Sequence, residues 1–567
     1  MHFPRCRTAI GLLFSLPCLL TTPQVLANPN NPTLRFQTDL QGDIAVFGST
    51  LAHDCGTKAA LPPGATVSCA GQTNVADTAP DIYWRDNVAN ASIEPLQART
   101  SATLVMPPGS KVVYARLYWA AIKKGSTPDT TATLDWDGGP STVIQADATW
   151  TRPTNLVSFP DTYYYQASGD ATAYVAQWGA GDFRVTNVEG LPLAGLDLDR
   201  AFTGWTIVVF YENPNEELRN LALFDGFTYI APAEGTPKAE VTLQGFLVPP
   251  GFDAKMTALT YEGDLDYGGD FFLINGNKAS DALNPENNFF NSSRSYLGQP
   301  VSGQFDVPKL SGQPGIMSGY DLDTVDISKF VKPGNTSAKI GAQSDFDVFI
   351  LGAFATSIRN RAPNFVITKT ATDLNGGALM PGDEVEFLIE LTNTGNDTSI
   401  DTVLTDLLEP GLEFVPGSLT LNGQPKTDAS GDDEAQYAQG LNTITWFLGS
   451  TAGPSKGGKV PPGSKITVSF RAVISSELEE GGVVTNQAVL RGVGEKIREA
   501  TPSAPLSEWL SDGDPNQVGP QKTIIVVKEC QTYKDCNEPT KPFCDPKTFS
   551  CQPCKTDAEC GNPLFPA

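Results

Sequence analysis

Between Pro381 and Ile474 apolar and polar residues trade places along the chain. After the Pro381-Gly382-Asp383 turn, Val385, Phe387, Ile389 and Leu391 alternate with Glu384, Glu386, Leu388 and Glu390. A period of two puts the first set on one face of a strand and the mostly acidic set on the other. The run stops at Asn393-Thr394-Gly395-Asn396, where Gly and Asn tolerate the positive φ of a reversal. Ile367 and Lys369 occupy a shorter strand ahead of it. Ile444, Trp446 and Leu448 repeat the pattern, and so do Ile466, Val468, Phe470, Ala472 and Ile474 after the Pro461-Pro462-Gly463 turn. Short strands punctuated in this way predict an antiparallel, immunoglobulin-like sandwich.

Upstream the pattern differs. Val112 to Ala121 (VVYARLYWAA) and Trp205 to Tyr211 (WTIVVFY) are apolar on both faces, as strands covered on both sides are. Residues 28–360 are therefore read as a β-sandwich region, either single or divided into two subdomains near residues 231–238. Residues 361–528 form the second sandwich, with 501–521 a Pro-, Ser- and Asp-rich loop and Thr523 to Val527 (TIIVV) its closing strand. A chain of 567 residues is too long for one core. With abundant Gly and Pro and no heptad pattern, the fold class is all-β: tandem antiparallel sandwiches followed by a small disulfide-rich tail.

The first 27 residues carry Arg5 and Arg7, a brief apolar run from about Ala9 to Leu20, and Val25-Leu26-Ala27. That is the layout of a secretory signal peptide, and the apolar run is short for a membrane span. The chain has 64 acidic residues against 39 Lys and Arg, a net charge of −25. An excess of that sign repels phosphate backbones and anionic lipid, so neither nucleic acid nor an acidic membrane is expected as a partner, and since no other segment reads as able to cross a bilayer the exported chain is not expected to be integral to a membrane.

Outside the leader the cysteines are Cys55, Cys69, Cys530, Cys536, Cys544, Cys551, Cys554 and Cys560. An even set in an exported chain implies disulfides. Cys55 and Cys69 stand alone in the amino-terminal half and pair with each other, closing a loop worth about 3 kcal/mol in the chain-entropy picture. In the tail CQTYKDC returns as CKTDAEC, a repeat whose second unit is cut short. Cys551-x2-Cys554 also has the spacing of a zinc knuckle, but an oxidising compartment with no neighbouring histidine favours disulfides.

Enzymatic chemistry finds little support. His53 is the one histidine beyond the leader, which argues against a Ser-His-Asp triad or an HExxH site. Gly453-Pro454-Ser455-Lys456-Gly457 spells a nucleophile elbow in a loop between strands, without the strand-turn-helix that an elbow needs. Calcium is the cofactor the acids suggest. Asp264 and Asp266 with Asp270, Asp321 and Asp323 with Asp326, Asp197 with Asp199, and Asp345 with Asp347 place hard oxygen ligands two positions apart. Among aromatics, Tyr163-Tyr164-Tyr165 is the candidate sugar platform, whereas Trp119, Trp205 and Trp446 lie within apolar strands and belong to cores.

The order TKT, PGDEVEFLIELTNTG, VLTDLLEPGLEFVPGSL, ITWFLG, PPGSKITVSF and VTNQAVL resembles the DUF11 repeat, an immunoglobulin-like module of prokaryotic surface proteins. The upstream segments, from GDIAVFGSTL to SDFDVFILGAFATSI, are similar to the amino-terminal region of DUF11-containing bacterial proteins. The cysteine spacing resembles the small repeats near the ends of myxobacterial cell-surface proteins, including the adventurous gliding motility type. In pilin-like relatives of the module, a first-strand lysine and a last-strand asparagine join through an isopeptide bond assisted by a buried acid. Lys369 and Asn486 hold the matching places, with Glu386 or Glu390 as the assisting acid. The resemblance implies an exported, non-enzymatic adhesin or structural envelope protein, linked to gliding or cell contact, with a cell-surface protein or polysaccharide as partner. The alternative is a secreted carbohydrate-binding or carbohydrate-processing protein.

Overall fold

The computed structural model describes residues 31–56, 61–69, 80–136, 139–193, 198, 200–376, 379–476, 478, 482–517, 519–528, 530, 536, 540–541, 543–545 and 550–554. The segment expected to be a signal peptide, Asp197, Asp199 and Cys560 fall outside them. Strands dominate, and the described α-helices are the short Thr172–Trp178 and Glu495–Ala500.

The amino-terminal region is organised around its first strand, Thr33–Thr50. Residues 33–41 pair with Leu218–Ile230, and residues 42–50 pair with Thr203–Glu212. This one strand thus joins an eleven-stranded sheet that includes Lys111–Lys124 on one side and Phe349–Arg359, Ala254–Tyr261 and Tyr320–Asp326 on the other. An eight-stranded sheet, containing Arg99–Leu104 and Gly181–Thr186, and a four-stranded sheet, containing Lys238–Gln244 and Ser337–Ser344, cover it. The residues 231–238 hold a single 3-10 turn, Pro232–Glu234, and the large sheet continues past it.

Burial explains why VVYARLYWAA and WTIVVFY lack alternation: both strands are covered on both faces, and Trp119 and Trp205 are fully buried. Trp205 Nε1 donates to Thr100 Oγ1 at 2.9 Å, tying the large sheet to the eight-stranded one. A second core of Phe272, Phe289, Phe290, Phe349 and Phe354 fills the space beneath the four-stranded sheet.

The carboxy-terminal sandwich has the expected alternation. Val385, Phe387, Ile389 and Leu391 are buried, and Glu386, Leu388 and Glu390 are not. One sheet contains Phe365–Asp373, Glu384–Asn393 and Lys465–Ile474, the other Thr443–Phe447, Ser399–Leu407 and Ala488–Gly494. Trp446 and Phe470 pack between them with ring centroids 6.0 Å apart. Thr523–Val526 pairs with Val483–Asn486. The 501–521 stretch is not wholly a loop: Ser507–Leu510 adds a strand beside Ala488–Gly494, anchored by Trp509 against Phe365.

Candidate functional site

Two buried polar clusters lie outside any simple packing role. The first is in the carboxy-terminal sandwich. Lys369 is on the core-facing parity of Phe365–Asp373, opposite Ile389, with its side chain wholly buried. Its Nζ forms an ion pair with Asp406 and lies 4.8 Å from the ring centre of Phe387 and 5.2 Å from that of Phe470. Burial is the main influence on this ammonium and lowers its pKa, with Asp406 opposing. Asn486, also buried, donates from Nδ2 at 3.0 Å to the carbonyl of Leu407, the residue after Asp406. Thr523, its partner across the strand pair, donates through Oγ1 to the Lys369 carbonyl at 3.0 Å. Among the described residues, Asp406 Oδ1 and Asn486 Oδ1 have no hydrogen-bond partner.

Of the residues suggested for an isopeptide bond, Lys369 and Asn486 are buried in the sandwich, whereas neither suggested acid is. Glu386 lies on the opposite face of its strand, half-exposed and facing Arg471, and Glu390 is exposed. The carboxylate beside Lys369 is Asp406, which shares the buried parity of Leu404 in Ser399–Leu407. That parity was the available signal.

The second cluster lies in the amino-terminal region. Glu262 follows the strand Ala254–Tyr261 with a φ of 65°, Asp264 comes two positions later, and Asp347 sits in the turn between Ser337–Ser344 and Phe349–Arg359. One carboxylate oxygen from each falls within 4.8 Å of the others. Asp270 stands behind them, fully buried, its Oδ1 accepting the Phe290 amide at 2.8 Å. Burial raises the Asp270 carboxyl to about 7, and burial followed by the charges of Asp264 and Asp270 raises Asp347 to about 8.

Asp321 and Asp323 are also fully buried, each with Oδ1 bonded and Oδ2 without a partner among the described residues, but neither belongs to the three-carboxylate group. Asp321 Oδ1 accepts the Ser293 amide at 2.9 Å, and Asp323 Oδ1 accepts the hydroxyls of Ser293 and Ser295 at 3.0 and 2.6 Å. Burial, then the charge of Asp323, pushes Asp321 upward, and burial raises Asp323 to about 7. Asp266 and Asp326 are exposed and stand outside the three-carboxylate group, as does exposed Asp345. Asp264 thus converges with Asp347 and not with Asp266, Asp321 and Asp323 stay beside each other, and the convergence recruits Glu262, which spacing did not suggest.

The remaining candidates resolve simply. Cys55–Cys69, Cys530–Cys544 and Cys536–Cys551 are disulfides, and Cys554 is disulfide-bonded as well, which leaves no thiolate pair at Cys551 and Cys554 for zinc. Such bonds are the chemistry of an oxidising compartment. His53 is buried against Trp84, and burial lowers it to about 4. Ser455 sits in a tight turn closed by reciprocal bonds between Gly453 and Lys456. Tyr164 and Tyr165 are fully buried and form no platform. No helix among the described residues is long and apolar enough to cross a membrane.

No protein-family model matches the chain, and no curated protein matches it. Solved structures offer partial likenesses. A 35 kDa carboxy-terminal fragment of the major pilin of Streptococcus agalactiae is similar at 13% identity over 29% of this chain and 56% of that one, with a TM-score of 0.19. The collagen-binding domain of a Staphylococcus aureus adhesin is similar at 11% identity over 29% and 95%, TM-score 0.17. The major pilin subunit of Bacillus cereus is similar at 9% identity over 52% and 70%, TM-score 0.20.

Proposed function

We propose that this chain is an exported surface protein, adhesive or structural, whose carboxy-terminal sandwich is a load-bearing element locked by an amide between Lys369 and Asn486. The observation that carries the reading is the fully buried Lys369–Asp406 pair, with buried Asn486 bonded to the carbonyl of the next residue, Leu407. An ordinary structural ion pair has no need of that surrounding, because desolvating two charges costs more than a surface pair returns. Tandem all-β architecture and disulfides outside the sandwich support the same reading.

The chemistry follows from the burial. Asp406 takes a proton from the ammonium, and the free amine attacks the side-chain carbonyl carbon of Asn486. As the new carbon–nitrogen bond forms, the bond to Nδ2 breaks, Asp406 relays a proton to the departing nitrogen, and ammonia leaves. No oxidant or cofactor enters the balance. The product ties Phe365–Asp373 to Val483–Asn486, so tension between those strands is borne by a covalent bond instead of by ladder hydrogen bonds.

Intact-mass measurement of the purified, leader-free chain tests this directly. After allowance for disulfide hydrogens, the mass is expected to be one ammonia below that of the sequence, and Lys369→Ala is expected to restore it. A wild-type mass with no ammonia lost removes the clamp.

A further inference from the structure

We infer that Glu262, Asp264 and Asp347 hold one divalent cation of the calcium type, with Asp270 as the carboxylate behind them. The inference is independent of the amide in the other sandwich.

Three arguments converge. The first is geometric: oxygens bound to one Ca²⁺ lie about 2.3–2.6 Å from it, so any two of them are separated by at most about twice that distance. The three carboxylates meet this limit, with one oxygen each inside 4.8 Å of the others. The second is a buried oxygen that the protein leaves over. Asp270 is fully buried, uses Oδ1 on the Phe290 amide, and has no hydrogen-bond partner for Oδ2 among the described residues. Asp347, half-buried, likewise has Oδ1 on the Val348 amide at 2.7 Å and no partner for its buried Oδ2 among the described residues. A buried carboxylate oxygen without a donor is costly unless a cation or a proton meets it. Arg200 approaches Glu262 at 3.8 Å, but its side chain is 39% exposed, a poor neutraliser for several acids.

The third is what the site would tie together. Between Ile274 and Tyr320 the chain is irregular apart from the two- and three-residue strands Asn277–Lys278, Arg294–Tyr296 and Gln299–Pro300. Irregular stretches of that length inside a compact region need fixing. The carboxylates stand where this stretch meets its neighbours: Gly269 donates to the Asn287 carbonyl at 2.6 Å, Asp345 donates to Gly269 at 2.7 Å, and Asn288 Nδ2 reaches Leu265 at 3.0 Å. An all-oxygen set of flexible loop ligands suits calcium better than magnesium, which demands near-ideal octahedral geometry, or softer metals, which prefer imidazole or thiolate.

The test uses the leader-free full chain stripped with a chelator. Titration with calcium chloride, followed by calorimetry and by thermal unfolding, is expected to show saturation near one ion per chain, at about 10⁻⁴–10⁻³ M as in other extracellular modules, and a rise in Tm. Asp347→Asn is expected to weaken calcium binding at least tenfold while leaving the Tm of the stripped protein unchanged or higher, since a neutral amide replaces an acid crowded by other acids. Glu262→Gln serves as the second variant if the first does not fold. A wild-type chain with neither binding heat nor a calcium-dependent Tm overturns the site, and so does a folded variant with an undiminished calcium response.

Discussion

Asp406 decides whether Lys369 can be kept in the sandwich core. Removing one partner of a buried pair strands the other charge, so Asp406→Ala is expected to destabilise the domain by about 3–5 kcal/mol relative to an apolar replacement of both partners, Lys369→Met with Asp406→Leu. Neither variant can form the amide, so the difference between them in urea unfolding isolates the stranded charge from the lost cross-link. Equal midpoints and slopes would mean that the ammonium reaches water when Asp406 is absent. The acid was legible in principle. Lys369 faces Ile389 across the ladder, so its partner had to come from a core-facing position, which Glu386 and Glu390 are not. Asp406 in VLTDL lies near a strand end, where a carboxylate reads as a solvent residue until the parity of Leu404 is counted.

The strand Thr203–Glu212 shows what local pattern conveys and what it omits. Its apolar run announces a covered strand, yet nothing in it reveals that Gly204 lies beneath the Tyr320 ring. A Cβ at Gly204 would come within 2.6 Å of Tyr320 Cδ2. Tyr320 cannot easily yield, being fully buried with its hydroxyl 2.6 Å from Thr206 Oγ1 and 3.2 Å from the Trp205 carbonyl. Gly204→Ala is therefore expected to cost about 1–3 kcal/mol by overpacking. Gly440→Ala, where a Cβ meets nothing within 4 Å, should stay within about 0.5 kcal/mol in the same denaturant series. The carboxy-terminal sandwich was legible because its strands are half-covered and alternate. The first strand was not, because residues 33–41 and 42–50 take different partners, each more than 150 residues away. Ser507–Leu510 escaped for a related reason: its place depends on Trp509 meeting Phe365, a contact outside any local window.

Across the whole molecule the buried acids set a pH dependence of unusual sign. Burial raises Asp39 to about 6, Asp270 and Asp323 to about 7, and Asp347 to about 8, each from an ordinary value near 3.8. Between the ordinary and the raised value the folded chain holds protons that the unfolded chain has released. Stability therefore falls as pH rises through that interval, and the penalty is complete once pH exceeds the folded values. Acids with lowered pKa, such as Glu434 beside Lys426, act in the opposite sense and lose their contribution only as pH drops below about 4.5. In chelator, the Tm of the leader-free chain is thus expected to be highest near pH 5 and to decline steadily toward pH 8.5. Calcium should flatten the upper part of that decline, because the ion replaces the protons on Asp347 and Asp270 and leaves the falls due to Asp39 and Asp323, which lie outside the three-carboxylate group, in place. A Tm rising from pH 5 to pH 8.5 in chelator would mean that these carboxylates ionise in the fold without penalty, and the electrostatic case for a cation among them would go with it.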